Sequence, residues 1–239
     1  MFVLKDLRRS QKTENMLVMQ GWCDSAFSSD GELSLVLSFK DEEKEFPIRY
    51  QIDKLSPLNY FVTSTGYLAF IATIYINVND EMKSIIKGEK GAFSLYLKKD
   101  TGEREELAKL LLEDVRGIYK HIPYSIDSVQ KEENGISVSG WAMDINGVDV
   151  RVITASGQDL TNDPAVEMEI VHRQDVLDLL YEGYNHKDVG FILHVKKPAA
   201  SQKLFLDLRA GKITEKVPIQ FQTKHSKILF SAKKNSRKV

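Results

Sequence analysis

Ile136-Ser137-Val138-Ser139-Gly140-Trp141 is the stretch on which the fold turns. Apolar Ile136 and Val138 alternate with Ser137 and Ser139, the period-two signature of a strand that buries one face. Asn134-Gly135 precedes it and Asn146-Gly147 follows it, and both are dipeptides that accept the positive φ of tight reversals. The same motif stands in the first half of the chain, where Met16-Leu17-Val18-Met19-Gln20-Gly21-Trp22 also runs a strand into Gly-Trp.

The likeness extends beyond the motif. Each copy continues into a second alternating strand, residues 33–39 in the first and 148–155 in the second. Gly66 then opens an aromatic and aliphatic run in the first copy, and Gly190 opens one in the second. A last strand, residues 93–97 or 204–208, leads to a polar turn holding Gly102 or Gly211, with Ser29-Asp30-Gly31 as an earlier turn. A strand with one apolar face must bury it, and several short strands separated by turns do so against a second sheet. The fold class expected is therefore mostly β, two tandem immunoglobulin-like β-sandwich modules with short connecting helices. Residues 1–120 form the first module with its connecting helix, 121–222 the second, and 223–239 a basic tail or linker.

Two segments interrupt the β pattern. In 173–181, Asp175 is placed to cap a short helix carrying Val176, Leu177, Leu179 and Leu180, expected to bridge the two sheets. In 102–119, Leu107, Leu110, Leu111, Val115 and Ile118 share a helical face, so this stretch reads as a connecting helix, or as a strand followed by a linker. Residues 55–79 carry no formal charge, but Pro57, Asn59, Gly66 and a β-branched, aromatic run favour two buried strands around a turn over a membrane helix.

Composition narrows the function. The 239 residues are 42% hydrophobic and 28% charged, values of a folded globular chain, with a net charge of -1. Cys23 is the one cysteine, which excludes an intrachain disulfide and a cysteine zinc cluster and points to a reducing compartment. The N-terminal residues lack the apolar core of a secretory leader. A cytoplasmic location, extending to the inner face of the membrane, is expected. Lys224, Lys227, Lys233, Lys234, Arg237 and Lys238 crowd the end without an acid among them. Such a tail is ordinarily solvated; no nucleic-acid partner is expected, and membrane contact only through this tail.

No catalytic site is legible. Gly88-Glu89-Lys90-Gly91 and Ala210-Gly211-Lys212 lack the spaced glycines of a phosphate cradle. The five histidines contain no pair at metal-binding helical spacing, and Ser139-Gly140 and Ser156-Gly157 fall outside the nucleophile-elbow pattern. No catalytic, metal or cofactor residue is assigned. Asp41-Glu42-Glu43 and Glu103, Glu105 and Glu106 read as solvated surface. Trp22 and Trp141 are either core residues or platforms for a sugar ring, and core packing is the expectation, because large aromatics dominate sandwich interiors. Arg173 and Asp175 are expected to form an ion pair fixing the bridging helix rather than a ligand contact.

Residues 136–141, Arg173-Gln174-Asp175-Val176, Tyr184 and Gly190-Phe191 carry a family resemblance. Residues 123–221 resemble the β-sandwich modules found, often in tandem, ahead of the catalytic domain in bacterial family 2 glycosyltransferases of cell-surface polysaccharide synthesis. Residues 1–110 share it only through the repeat, and Tyr60-Phe61-Val62-Thr63 replaces the Arg-x-Asp-Val element there. The resemblance implies a non-catalytic accessory or targeting region that positions a glycan acceptor or glycan-assembly proteins. Such a transferase's Asp-x-Asp motif does not occur in this chain. The alternative is a stand-alone β-sandwich protein-interaction scaffold that binds no glycan.

Overall fold

The computed structural model describes residues 2–23, 31–39, 42–54, 70–88, 91–99, 101–180, 183–196 and 203–220. The chain divides into two compact units, Met1–His121 with Asp178–Asn185, and Ile122–Leu177 with His186–Val239.

Unit 1 contains β1 (Phe2–Arg9), β2 (Met16–Cys23), β3 (Gly31–Phe39), β4 (Glu42–Lys54), β5 (Phe70–Asn77), β6 (Ala92–Lys99) and β7 (Arg104–Leu111). They pair antiparallel in the order β1-β2-β5-β4-β3-β6-β7. Strand β4 changes partner along its length: residues 42–47 pair with β3 and residues 48–54 with β5. Pro47 sits at that switch, where a missing N–H and a fixed φ suit the end of one ladder. The sheet thus folds into two layers. Leu17, Met19, Ala72 and Ile74 from one layer meet Leu35, Phe93 and Leu95 from the other in one core, which also takes in Cys23. Phe46 and Phe93 pack edge to face there, 6.5 Å between centroids.

Unit 2 contains β8 (Tyr124–Glu132), β9 (Gly135–Ala142), β10 (Asp149–Thr154), β11 (Val166–Val171), β12 (Gly190–Lys196), β13 (Leu204–Ala210) and β14 (Ile213–Pro218). One sheet runs β11-β12-β9-β8 and the other β10-β13-β14. Lettered A to G in chain order, these are the D-E-B-A and C-F-G sheets of a constant-type immunoglobulin sandwich. Unit 1 has the same order, with β4 serving both layers. The fold class read from the sequence is what the structure has.

Three details refine or differ from expectation. In 102–119 the strand alternative holds as far as Leu111, as β7, and a short helix, α2 (Leu112–Ile118), follows it in place of a linker. The shared helical face dissolves: Leu110 is buried while its neighbour Leu111 is exposed, the alternation of a strand paired with β6. Second, the helix expected over 173–181 is one turn, α3 (Gln174–Leu177), with Leu179 exposed. It joins β11 to β12, which are neighbours in one sheet, so it bridges no gap between sheets. Third, Gly190 lies opposite Trp141, and the residue opposite Trp22 is Ile71. Ile71, not Gly66, is therefore the counterpart of Gly190. Gly66 and the rest of 55–69 lie outside the described residues, as do Tyr60-Phe61-Val62-Thr63 and Ser29-Asp30; β5 is the one strand seen in 55–79. The basic tail also lies outside them.

Helix α1 (Asp80–Gly88) was not anticipated. Asn79 Oδ1 accepts the Met82 N–H at 2.9 Å, an N-terminal cap, and Met82 and Ile86 point into the unit 1 core.

Candidate functional site

In β9 the inward residues are Val138, Gly140 and Ala142, all buried, and the outward ones are Ser137, Ser139 and Trp141, all half-buried. The tryptophan therefore shares the serines' face. In β2 the inward set is Leu17, Met19, Gly21 and Cys23, and half-buried Trp22 points away. Neither tryptophan belongs to a core cluster. The expected core placement of Trp22 and Trp141 is corrected, and the reason is parity: a strand that turns Ile136, Val138 and Gly140 inward must turn residue 141 outward.

The repeated Gly-Trp pair serves the glycine instead. A Cβ on Gly140 would lie 2.3 Å from the Ser125 carbonyl oxygen and 2.6 Å from Cζ of Phe191. One on Gly21 would lie 2.4 Å from both Cζ of Phe2 and the Val3 carbonyl oxygen. In each unit the glycine opens a seat for an inward phenylalanine of an adjacent strand. In each, strand A also carries a bulge beside the glycine, between Leu4 and Asp6 or between Ile126 and Ser128. The extra residue is Lys5 in unit 1 and Asp127 in unit 2.

Both bulge residues bring charge to the outward tryptophan's neighbourhood. Lys5 Nζ stands 5.8 Å from the centroid of the Trp22 ring, within cation–π range. Asp127 accepts from Nη1 of Arg173 at 2.6 Å. Arg173 Nε and Nη2 donate to the two carboxylate oxygens of Asp175 at 2.8 and 2.6 Å, a bidentate fork. The Arg173 stem crosses the sheet where Gly190 leaves room: a Cβ on Gly190 would meet Arg173 Cγ at 2.5 Å. Gly190 is opposite Trp141, so this stem lies on the same face beside the indole.

The hydrogen bonds from Arg173 hold the Asp175 carboxyl down to about 2. The same bonds raise Arg173 above its usual range. The guanidinium donates from all three of its nitrogens to two carboxylates and acts as a brace. Asp175, whose side chain is 66% exposed, keeps lone pairs turned to solvent that can accept from ligand hydroxyls.

Of the residues singled out by sequence, Trp141, Arg173 and Asp175 lie on or at the rim of one face of unit 2. Trp22 holds the matching position in unit 1. Half-buried Tyr184 belongs to Asp178–Asn185, which groups with unit 1, and so is not part of the unit 2 sheet. Sequence reasoning missed Lys5 and Asp127, and singled out Gly190 as the opening of a strand and for the resemblance, not as the seat of the Arg173 stem. The signal for Gly190 was its glycine in a strand, the mark of a close approach; a bulge residue leaves no periodic trace.

The two tryptophan faces differ beyond the ring. Beside Trp22, Arg8 Nη1 donates to Gln20 Oε1 at 2.8 Å and Gln20 Nε2 donates to Thr73 Oγ1 at 3.4 Å, with Gln20 and Thr73 buried. Beside Trp141 stand Ser125 and Gly190 across the ladder and Ser139 along the strand.

Among the described residues, no group of three His, Cys, Asp or Glu side chains is arranged to hold a metal ion, and no helix is long and apolar enough to cross a membrane.

No protein-family model matches the chain, and no curated protein is similar to it. Among solved structures it is similar to a chimeric titin Z1Z2 functionalized with a KLER exogenous peptide from decorin. That likeness has 11% identity, covers 93% of this chain and 97% of that one, and has a TM-score of 0.27. The immunoglobulin-type assignment rests on the strand order itself.

Proposed function

We propose that this chain is a non-catalytic accessory region of a bacterial glycosyltransferase, acting at the cytoplasmic side of the membrane to position a glycan acceptor. The observation that carries the reading is the outward placement of Trp141. A half-buried indole on a sheet face, with a carboxylate pair braced by Arg173 at its side, offers a flat apolar surface and hydrogen-bond acceptors together. A sugar ring presents the complement, an apolar C–H face and a rim of hydroxyls. The sequence resemblance of residues 123–221 supplies the transferase context.

The test is glycan-array binding by the full chain and by Trp141→Ala. Loss of binding in a variant that melts like the parent supports the reading; enzyme-like turnover of a nucleotide-sugar by the isolated chain would overturn it. The scaffold alternative has an observation of its own. Edge strand β11 exposes Ile170 at 52%, an apolar residue beside an open ladder, which suits addition of a partner strand. Protein capture abolished by Ile170→Lys, with no glycan bound, would favour it.

A further inference from the structure

Building on that reading, we propose that the outer face of β8, β9, β12 and β11 is a shelf for an extended glycan without anionic groups. The glycan starts against Trp141 and runs along β9 past Ser139 to Ser137. Three features lead there.

The first is clearance around the ring. Three positions flanking Trp141 on this face hold small residues: Ser125 and Gly190 across the ladder, Ser139 two residues back. The half-buried indole is therefore walled on the Gly190 side by the Arg173 stem and flanked by small side chains toward Ser125 and Ser139. In unit 1 the matching positions include Val3 and buried Gln20, and Lys5 stands over the ring. Trp22 has no comparable clearance.

The second is length. From Trp141 the floor continues through Ser139, whose hydroxyl is 2.9 Å from that of Ser128, to Ser137. At about 3.4 Å per residue this shelf is about 14 Å long, room for about three pyranose rings. The hydroxyls of Ser128, Ser139 and Ser137 can each donate or accept, as sugar hydroxyls require.

The third is charge. The face and its rim carry the carboxylates of Asp127, Glu132, Glu167, Glu169 and Asp175 against the cations Arg173 and Lys196, with the His194 imidazole, opposite Ser137, set against Glu132. Both cations are already bound, Arg173 to Asp127 and Asp175, Lys196 to Glu167. The remaining field is negative and repels polyuronate or phosphate-bearing chains while admitting neutral ones.

The experiment titrates the full chain with neutral glucan oligomers, α- and β-linked, of about one, three and five rings, and with an oligouronate of about three rings. Affinity is expected to rise about tenfold from one ring to three and then level off. Ser137→Tyr, which fills the far end of the shelf, should return the three-ring ligand to one-ring affinity and leave the one-ring ligand unchanged. Trp141→Ala should remove binding of both, and Trp22→Ala neither, with thermal melts verifying each fold. Length-independent affinity, an inert Ser137→Tyr, or oligouronate binding as tight as neutral glucan would overturn the shelf while leaving the glycan reading standing. Binding of no glycan by the folded chain would overturn both.

Discussion

At the residue scale, the Gly-Trp repeat divides its labour in a way that substitution can expose. A methyl group on Gly140 collides with a backbone carbonyl as well as with Phe191, and a backbone atom cannot rotate aside. Gly140→Ala should therefore cost about 1–3 kcal/mol, the usual range for overpacking, and Gly21→Ala a similar amount. Urea unfolding of both variants checks this. Trp141→Ala should be the milder change, within about 1 kcal/mol, because the ring adds little to the core. A loss of about 3–5 kcal/mol, typical of a deleted core aromatic, would instead restore the inward placement. The ion cluster makes a pH prediction. Asp175 in the folded chain titrates near 2, below the ordinary carboxylate value, so its pairing stabilises the fold fully above the unfolded value of about 3.9 and is lost as pH falls toward 2. Carboxyl NMR titration should place the Asp175 midpoint near 2, and Arg173→Gln should return it to the ordinary range.

At the element scale, short-range chemistry and pairing compete, and the outcome shows what the sequence could disclose. Helix α1 was legible in principle: Asn79 followed by Met82, Ile85 and Ile86 is a cap ahead of an i, i+3, i+4 face. The uncharged, β-branched run that leads into it masks this signal with a strand pattern. Asn79→Ala should destabilise the chain by about 1 kcal/mol, since the Met82 N–H would lose its acceptor. Differential scanning calorimetry measures it as a small drop in Tm, and no drop would mean that water replaces the cap. In 102–119, where helix and strand were both open, the strand won up to Leu111. Leu107, Leu110 and Leu111 fit a helical face, yet β6 offers Phe93 and Leu95 across a ladder, and tertiary pairing decided the conformation. Strand existence, hairpin turns and the B, C and F equivalences were readable because period two survives divergence. The E-strand register was not, because both glycines precede aliphatic runs and only the ladder with β2 or β9 tells them apart.

At the scale of the whole molecule, each unit owns a core that draws on both of its layers. Leu206 lies in the unit 2 core and Leu95 in the unit 1 core, both fully buried. Leu206→Ala should cost about 2–5 kcal/mol and, by hydrogen exchange, loosen the strands of unit 2 most. Leu95→Ala should do the same to unit 1. Equal loosening of both units by either variant would mean that they unfold as one. The candidate site was only half legible at this scale. Trp141, Arg173 and Asp175 could be picked out individually, but their meeting on one face depends on Gly190 and on the Asp127 bulge, which ladder registers create.

The inward position of Cys23 has a practical side. The residue is 3% exposed within the unit 1 core, so alkylating reagents reach its thiol slowly while the fold holds. A cysteine introduced at Lys212, in the exposed turn between β13 and β14, would then react first. A fluorophore could be attached there in a single step, without removing the native thiol, and its polarisation would report ligand capture by the folded chain.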